Sequence, residues 1–296
     1  MDMVIVYGEE STTHQLMIER AEELFDKVLA VPADGLKFIY GEEGTKVLYK
    51  GTDITEFDVA YLRHSDEEVY FGEHLAEIMN NAGVVTPLSD DTFSIMTNKF
   101  YTMKVLAENG LNVPDSVYTL SPDAAVEAAE ELGYPVIMKT ITGGGGEGVM
   151  RASSESELKP VMDTMSAFKT EICLQEYMEH SGTDNRLIVI GDHVVGYQRS
   201  SSDKKEWRSN IGAGGERLKL DLTPEMRETA LMAARSIGAD ISGADVIESE
   251  EDDDAIYLLE MNAAQFGLSE QINEIVEEDI IFEIVEFLHQ KALEQE

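Results

Sequence analysis

In the stretch YPVIMKTITGGGGEGV, from Tyr134 to Val149, a single lysine, Lys139, is followed by Gly143, Gly144, Gly145 and Gly146. A loop almost without side chains lets backbone N–H groups reach an anion, because no Cβ holds a phosphate away. Lys139 would then add a point charge to the phosphate oxygens. The plainer reading is a surface hairpin with a solvated lysine. The stretch is neither a G-x-G-x-x-G fingerprint nor a Walker A loop, since no Gly-Lys-Ser/Thr follows. A second set stands near the C-terminal end, where Glu260 and Asn262 flank Met261. On a strand those two share a face, and Asp245 joins them if a neighbouring strand points it the same way. Two carboxylates and an amide oxygen are a hard-oxygen set suited to Mg²⁺ carrying phosphates; the plainer reading is polar residues at a sheet edge. Lysine and arginine are scarce, yet Lys99, Lys139, Arg186, Arg199 and Arg208 fall in these segments. Polyphosphate with a metal requires such charges. In WRSNIGAGG, Arg208 and Asn210 share a side if the run is extended, and Gly212, Gly214 and Gly215 let a backbone approach a ligand closely.

Other chemically suggestive residues read more simply. Cys173, the single cysteine, lies in the strand-like EICLQEY and reads as a small core residue. His64 follows an apolar strand and reads as a solvated loop histidine rather than a substrate contact. The run Glu250 to Asp254 reads as a solvated turn, because flexible like charges repel and fix no coordination geometry.

The elements that must position these residues follow from periodicity. Apolar runs at Met3–Val6, Val28–Val31 and Val59–Leu62 alternate with helical spacing over Gln15–Phe25 and Glu73–Asn80, and Val84-Val85 adds a last short strand. Leu36–Tyr40 and Val47–Tyr49 flank a turn and predict a hairpin. This is a small α/β unit with a mostly parallel sheet. The pattern changes near Leu88. A helix is expected over Ser94–Asn109, a strand over Val113–Thr119, and a helix over Asp123–Leu132 capped by Ser121-Pro122. Strands at Pro135–Ile141, Gly148–Ala152 and Ile172–Tyr177 with a helix over Glu155–Phe168 complete an α+β lid. Beyond it come a hairpin, Leu187–Ile190 with Val194–Arg199, a helix over Glu225–Ile237, and strands at Gly243–Ile247 and Ile256–Met261.

Composition bounds the function. Twenty-two Lys+Arg against 59 Asp+Glu give a formal net charge of -37, with 43% hydrophobic residues, which is not a disordered acidic tail. Such self-repulsion is relieved in molar salt, where the Debye length falls to about 3 Å. We therefore expect a cytoplasmic protein of a salt-loving organism. No basic cluster exists for nucleic acid or an anionic membrane, and no apolar run reaches spanning length.

Taken in order, Lys99, VIMKTITGGGGEGV, LQEY (Leu174 to Tyr177), Asp184 with Arg186, Arg199, RSN (Arg208, Ser209, Asn210), GADVI around Asp245 and LLEMN ending at Asn262 resemble the ATP-grasp superfamily, most closely its RimK-type glutamate ligase branch. The resemblance spans essentially the whole chain. It implies an α/β and α+β chain with the three-domain ATP-grasp fold: an N-terminal Rossmann-like pre-grasp domain (residues 1–92), a central lid (93–175) and a C-terminal domain with the metal site (176–296). It further implies that Lys99, Lys139 and the glycine loop with Gly145 and Gly146 contact ATP phosphates, and that Glu176 and Tyr177 lie at the adenine edge. Asp184 would contact the nucleotide, and Asp245, Glu260 and Asn262 would bind Mg²⁺, or Mn²⁺ in its place, as two ions. Arg199 would steady the transferring phosphoryl group, with Arg208, Ser209 and Asn210 holding phosphate or an acyl-phosphate.

The implied activity is an ATP-dependent carboxylate-amine ligase that adds an amino acid, glutamate first, to a peptide, protein tail or cofactor; family members are often homo-oligomers. A ligase for another amino acid or small metabolite, in carrier-protein or glutathione-like synthesis, and a non-catalytic ATP-binding regulator are the alternatives. Two departures bear on the amine. The family commonly reads E-x-N-x-S-P-G where this chain has Glu260-Met261-Asn262-Ala263-Ala264-Gln265-Phe266, and Ile211-Gly212-Ala213 stand where a His or Arg is common.

Overall fold

The structure is a computed structural model that describes the 296-residue chain except for residues 43, 64–68, 143–147, 180–181, 201–215, 250–254, 264–267 and 296. The chain opens with β1 (Asp2–Tyr7), α1 (Thr12–Glu22), β2 (Lys27–Pro32), the meander β3 (Lys37–Gly41), β4 (Gly44–Tyr49) and β5 (Thr52–Asp53), then β6 (Val59–Arg63) and α2 (Val69–Asn81). Strands β2, β1 and β6 pair in that order, all parallel, and Val85 bridges Val59 in the same sense. Met3, Val4, Ile5 and Val6 are fully buried, as a strand covered on both faces of a parallel sheet requires.

The helix expected over Ser94–Asn109 is two helices, α3 (Asp90–Thr97) and α4 (Lys99–Glu108). Asn98 breaks it: at φ −112°, ψ 100° its side chain accepts the Tyr101 N–H at 2.9 Å, capping α4 and ending α3. Lys99 is thereby the first residue of α4, and its own N–H donates to Ile141 O at 2.9 Å. Next come β7 (Ser116–Tyr118), α5 (Pro122–Leu132), β8 (Val136–Thr140), β9 (Val149–Ala152), α6 (Glu155–Ala167) and β10 (Ile172–Glu176). They form an antiparallel sheet in the order β7-β10-β8-β9. Val136, Met138, Ile172 and Leu174 pack with Ala125, Ala129, Leu158 and Met162 of the two helices. Period-two alternation sends Lys139 and Cys173, directly paired across the strands, to the other face.

The last part is a five-stranded antiparallel sheet ordered β13-β12-β11-β14-β15, built from β11 (Thr183–Ile190), β12 (His193–Ser200), β13 (Glu216–Lys219), β14 (Ile241–Glu248) and β15 (Ile256–Asn262), with α7 (Pro224–Ile237), α8 (Glu270–Val276) and α9 (Ile280–Leu293). The β11–β12 turn uses Gly191 at φ +58°, where an L side chain is disfavoured. On one face Leu187, Val189, Val194, Ala244 and Val246 share a core with Phe93, Met96, Met103 and Leu106 of α3 and α4 and with α7. On the other, Ile188, Ile190, Val195 and Tyr197 share a core with β1, α1, α8 and α9. Farther along the same strands, that second face turns from apolar to charged. Among the described residues no helix is long and apolar enough to cross a membrane.

Candidate active site

The charged half of the sheet follows from register. Asp184 pairs with Arg199, Arg186 pairs with Asp245, and Asp245 pairs with Glu260; Asn262, two residues on, pairs with Gly243. Directly paired residues share a face, so these side chains form one row across four strands. The strand geometry thus brings Asp245, Glu260 and Asn262 to one side, with the ladder shifting just after Asp245.

Arg186, Asp245, Arg199 and Asp184 form one continuous ionic network. Arg186 grips Asp245 with two prongs, Nε on Oδ1 and Nη2 on Oδ2 at 3.0 Å. Arg199 reaches the same Oδ2 at 2.9 Å and also holds Asp184, Nε on Oδ1 at 2.7 Å and Nη2 on Oδ2. The four side chains are between 6% and 10% exposed, so two positive and two negative charges are withdrawn from water together. Burial disfavours the Asp245 carboxylate, but Arg186 and Arg199 outweigh it and hold the group at about 2. Burial likewise opposes the Arg199 charge, and Asp245 and Asp184 overcome it, raising its pKa.

Two lysines from different elements meet this row. Lys99 Nζ lies 2.5 Å from Glu260 Oε1. Lys139, on the sheet β7-β10-β8-β9, is pushed below the ordinary lysine value by burial, with Lys99 acting in the same sense and Glu260, Cys173 and Asp245 opposing. Its ammonium therefore stands within electrostatic reach of both carboxylates. Gly148 at the root of β9 lets the strand close on β8: a Cβ there would come within 2.6 Å of Thr140 Oγ1.

Glu176 and Tyr177 lie three and four residues beyond Cys173 at the end of β10. The Glu176 N–H donates to Asp115 O at 2.9 Å and its Oε1 accepts the Asp115 N–H at 2.9 Å, while the Arg151 guanidinium covers the Tyr177 ring at 4.3 Å. Gly145, Gly146, Arg208, Ser209 and Asn210 lie outside the described residues, as do His64 and the Glu250–Asp254 turn. Arg186 is the member of the network that sequence reasoning left without a partner. Its signal was the Asp184-x-Arg186 spacing, which on a strand puts both side chains on one face. Cys173 is buried beside Lys139, and burial raises its thiol pKa.

The donor set fits a divalent cation shared with a ligand. Among the described residues no group of three or more His, Cys, Asp and Glu could hold a metal alone. Two carboxylates and the Asn262 amide leave coordination positions for phosphate oxygens, which is how Mg²⁺ is usually held. Asn262 turns its Nδ2 to Gly243 O at 3.4 Å, so the amide oxygen is its other pole.

Residues 96–288 match the RimK-like ATP-grasp domain. A probable alpha-L-glutamate ligase of Nitrosococcus oceani is 30% identical over 247 residues, 82% of this chain and 80% of that protein. Among solved structures, the ATP-grasp ligase PsnB complexed with minimal precursor superposes with a TM-score of 0.74 at 19% identity, over 97% of each chain. A Chryseobacterium gregarium RiPP-associated ATP-grasp ligase, in complex with ADP and a leader and core peptide, superposes at 0.72 with 17% identity, over 98% of this chain and 97% of that one. The chain belongs to the RimK-like ATP-grasp family and is a ligase that forms C–N bonds.

Proposed function

We propose that this ligase uses ATP and Mg²⁺ to activate a carboxylate as an acyl-phosphate and joins it to an amino acid, L-glutamate first, the acid being a peptide, protein tail or cofactor. The observation that carries the reading is the convergence of Lys139, from the sheet β7-β10-β8-β9, and Lys99, from the start of α4, on Asp245 and Glu260 of the five-stranded sheet, with Lys99 Nζ 2.5 Å from Glu260 Oε1. A polyphosphate carrying a divalent cation is the ligand that needs two lysines and two carboxylates gathered at one place.

In this reading Lys99 and Lys139 neutralise phosphate oxygens, and Glu176 and Tyr177 border the adenine. Asp245, Glu260 and Asn262 hold Mg²⁺, two ions with Mn²⁺ as a substitute, which would supply charge neutralisation on the phosphates. Arg199 is locked by Asp184 and Asp245 so that its guanidinium meets the transferring phosphoryl group without reorganising. The acid's oxygen attacks the γ-phosphorus and ADP leaves; the amine nitrogen then attacks the acyl carbon, loses a proton, and inorganic phosphate leaves. Such chemistry is positioning and charge neutralisation, and it asks for no protein nucleophile. The burial of Cys173 agrees with that. The relatives' glutamate ligase names support the amine, and the acidic composition supports a cytoplasm rich in salt.

The test is a screen of amino acids and candidate acids in molar KCl, read by ADP release and by the product's mass increment, which names the amine. Glu260→Ala should lower ADP release by about 10²-fold or more. Release at the wild-type rate in that variant would discard the metal assignment, and no ADP release from any mixture would leave a nucleotide-binding regulator instead.

A further inference from the structure

The charged row does not stop at Arg199. Arg217 on the edge strand β13 is its direct register partner, so the two guanidinium-bearing side chains share a face. Their surroundings differ. Arg199 holds two aspartates, whereas Arg217, half-buried, makes one hydrogen bond among the described residues, Nη1 to the neutral Oε1 of Gln271 on α8 at 2.6 Å. Its Nε is buried and unpaired among them. With 59 acidic residues to 22 basic ones, a half-buried arginine steadied by an amide rather than a carboxylate is out of keeping with the chain's composition. Gln271 orients the fork without neutralising it, no carboxylate pairs with it among the described residues, and a planar fork in that state matches a carboxylate.

Position decides which carboxylate. Strand β13 is the third strand from β14 in the order β13-β12-β11-β14. At about 4.8 Å per strand, Arg217 starts about 14 Å from Asp245 and one strand outside Arg199, at the outer margin of the row. A carboxylate reacting beside Asp245 and Glu260 lies nearer Arg199 than Arg217, which leaves Arg217 for a second one. We propose that Arg217 is the anchor for a substrate carboxylate that does not react, the one an amino acid keeps when it donates its amine, and so a residue that sets specificity. The proposal rests on the ligase reading above.

Calorimetric titration of the full chain, saturated with MgADP in molar KCl, tests it with L-glutamate, L-glutamine (no side-chain carboxylate), 4-aminobutyrate (no α-carboxylate) and N-acetyl-L-glutamate (amine blocked, standing for the acid substrate). Arg217→Gln should weaken L-glutamate tenfold or more at an unchanged melting temperature, and Arg217→Lys should recover part of the loss because it keeps the charge without the fork. The analogue that Arg217→Gln leaves unaffected lacks the anchored carboxylate. Weakening confined to N-acetyl-L-glutamate would place Arg217 on the acid substrate and overturns the proposal. Equal affinities of wild type and Arg217→Gln for all four probes, or a wild type that binds MgADP but none of them, overturns the proposal. A wild type that does not bind MgADP fails the ligase reading itself.

Discussion

Strands β11 and β12 carry two half-faces that differ only in what their inward positions hold. At one end Ile188, Ile190, Val195 and Tyr197 sit against Ile281, Ile284 and Leu288 of α9. At the other, the same alternation places Asp184, Arg186 and Arg199, equally removed from water. Burying an isoleucine stabilises by about 1.5–3 kcal/mol, whereas burying four charges carries a desolvation penalty that their pairing at best repays. The apolar half holds the sheet in the molecule; the ionic half adds little net stability and holds a geometry.

The largest expected effect breaks the ionic half. Asp245→Ala would leave Arg186 and Arg199 buried around a missing anion, and should cost about 3–5 kcal/mol in urea unfolding at fixed salt. A cost below about 1 kcal/mol would mean that water reaches the network, and the contrast between halves would collapse. On the apolar half, Leu288→Ala should cost about 3 kcal/mol through the cavity it leaves, with MgADP affinity per folded molecule unchanged. Weakened nucleotide binding there would show that the halves are not separable.

Acid sharpens the contrast. The Asp245 carboxyl is held at about 2, below an unfolded value of about 3.9, so its contribution is complete above about pH 4 and is lost as pH falls towards 2. Asp245→Asn should flatten that limb of a stability-versus-pH curve, and Leu288→Ala should merely shift it down. Smaller still, Lys99→Met should change stability by about 1 kcal/mol or less, because Glu260 keeps 31% of its side chain in water, yet weaken MgADP about tenfold. Smallest, Arg235→Gln removes an exposed pair with Asp192 and should stay within about 0.5 kcal/mol.

Much of this was legible because period two is unforgiving. Met261 between Glu260 and Asn262 fixed their common face, and Lys139 two residues beyond Ile137 fixed its place on the face away from the core of α5 and α6. The helix over 94–109 was misread because its apolar spacing survives across Asn98, whose side chain competes for the backbone locally. Strand β13 and helices α8 and α9 went unread: Glu216–Lys219 is short and polar, and Glu270–Val276 is only two turns long, whereas α9 keeps the spacing of an amphipathic helix, with Ile280, Ile284 and Leu288 buried and Glu283, Glu286 and Gln290 turned away from that core. Pairing between distant carboxylates and arginines, Asp245 with both Arg186 and Arg199 above all, depends on strand order, which no local pattern encodes.

The core in which Met3, Ile5, Met17 and Tyr61 pack with Ile188, Tyr197, Ile284 and Leu288 joins the beginning of the chain to its end. A chimaera that exchanges the first ninety residues to redirect the enzyme to another acid would inherit half an interior. Only donors transplanted together with their own C-terminal helix, or matched to it in volume, should yield a folded hybrid.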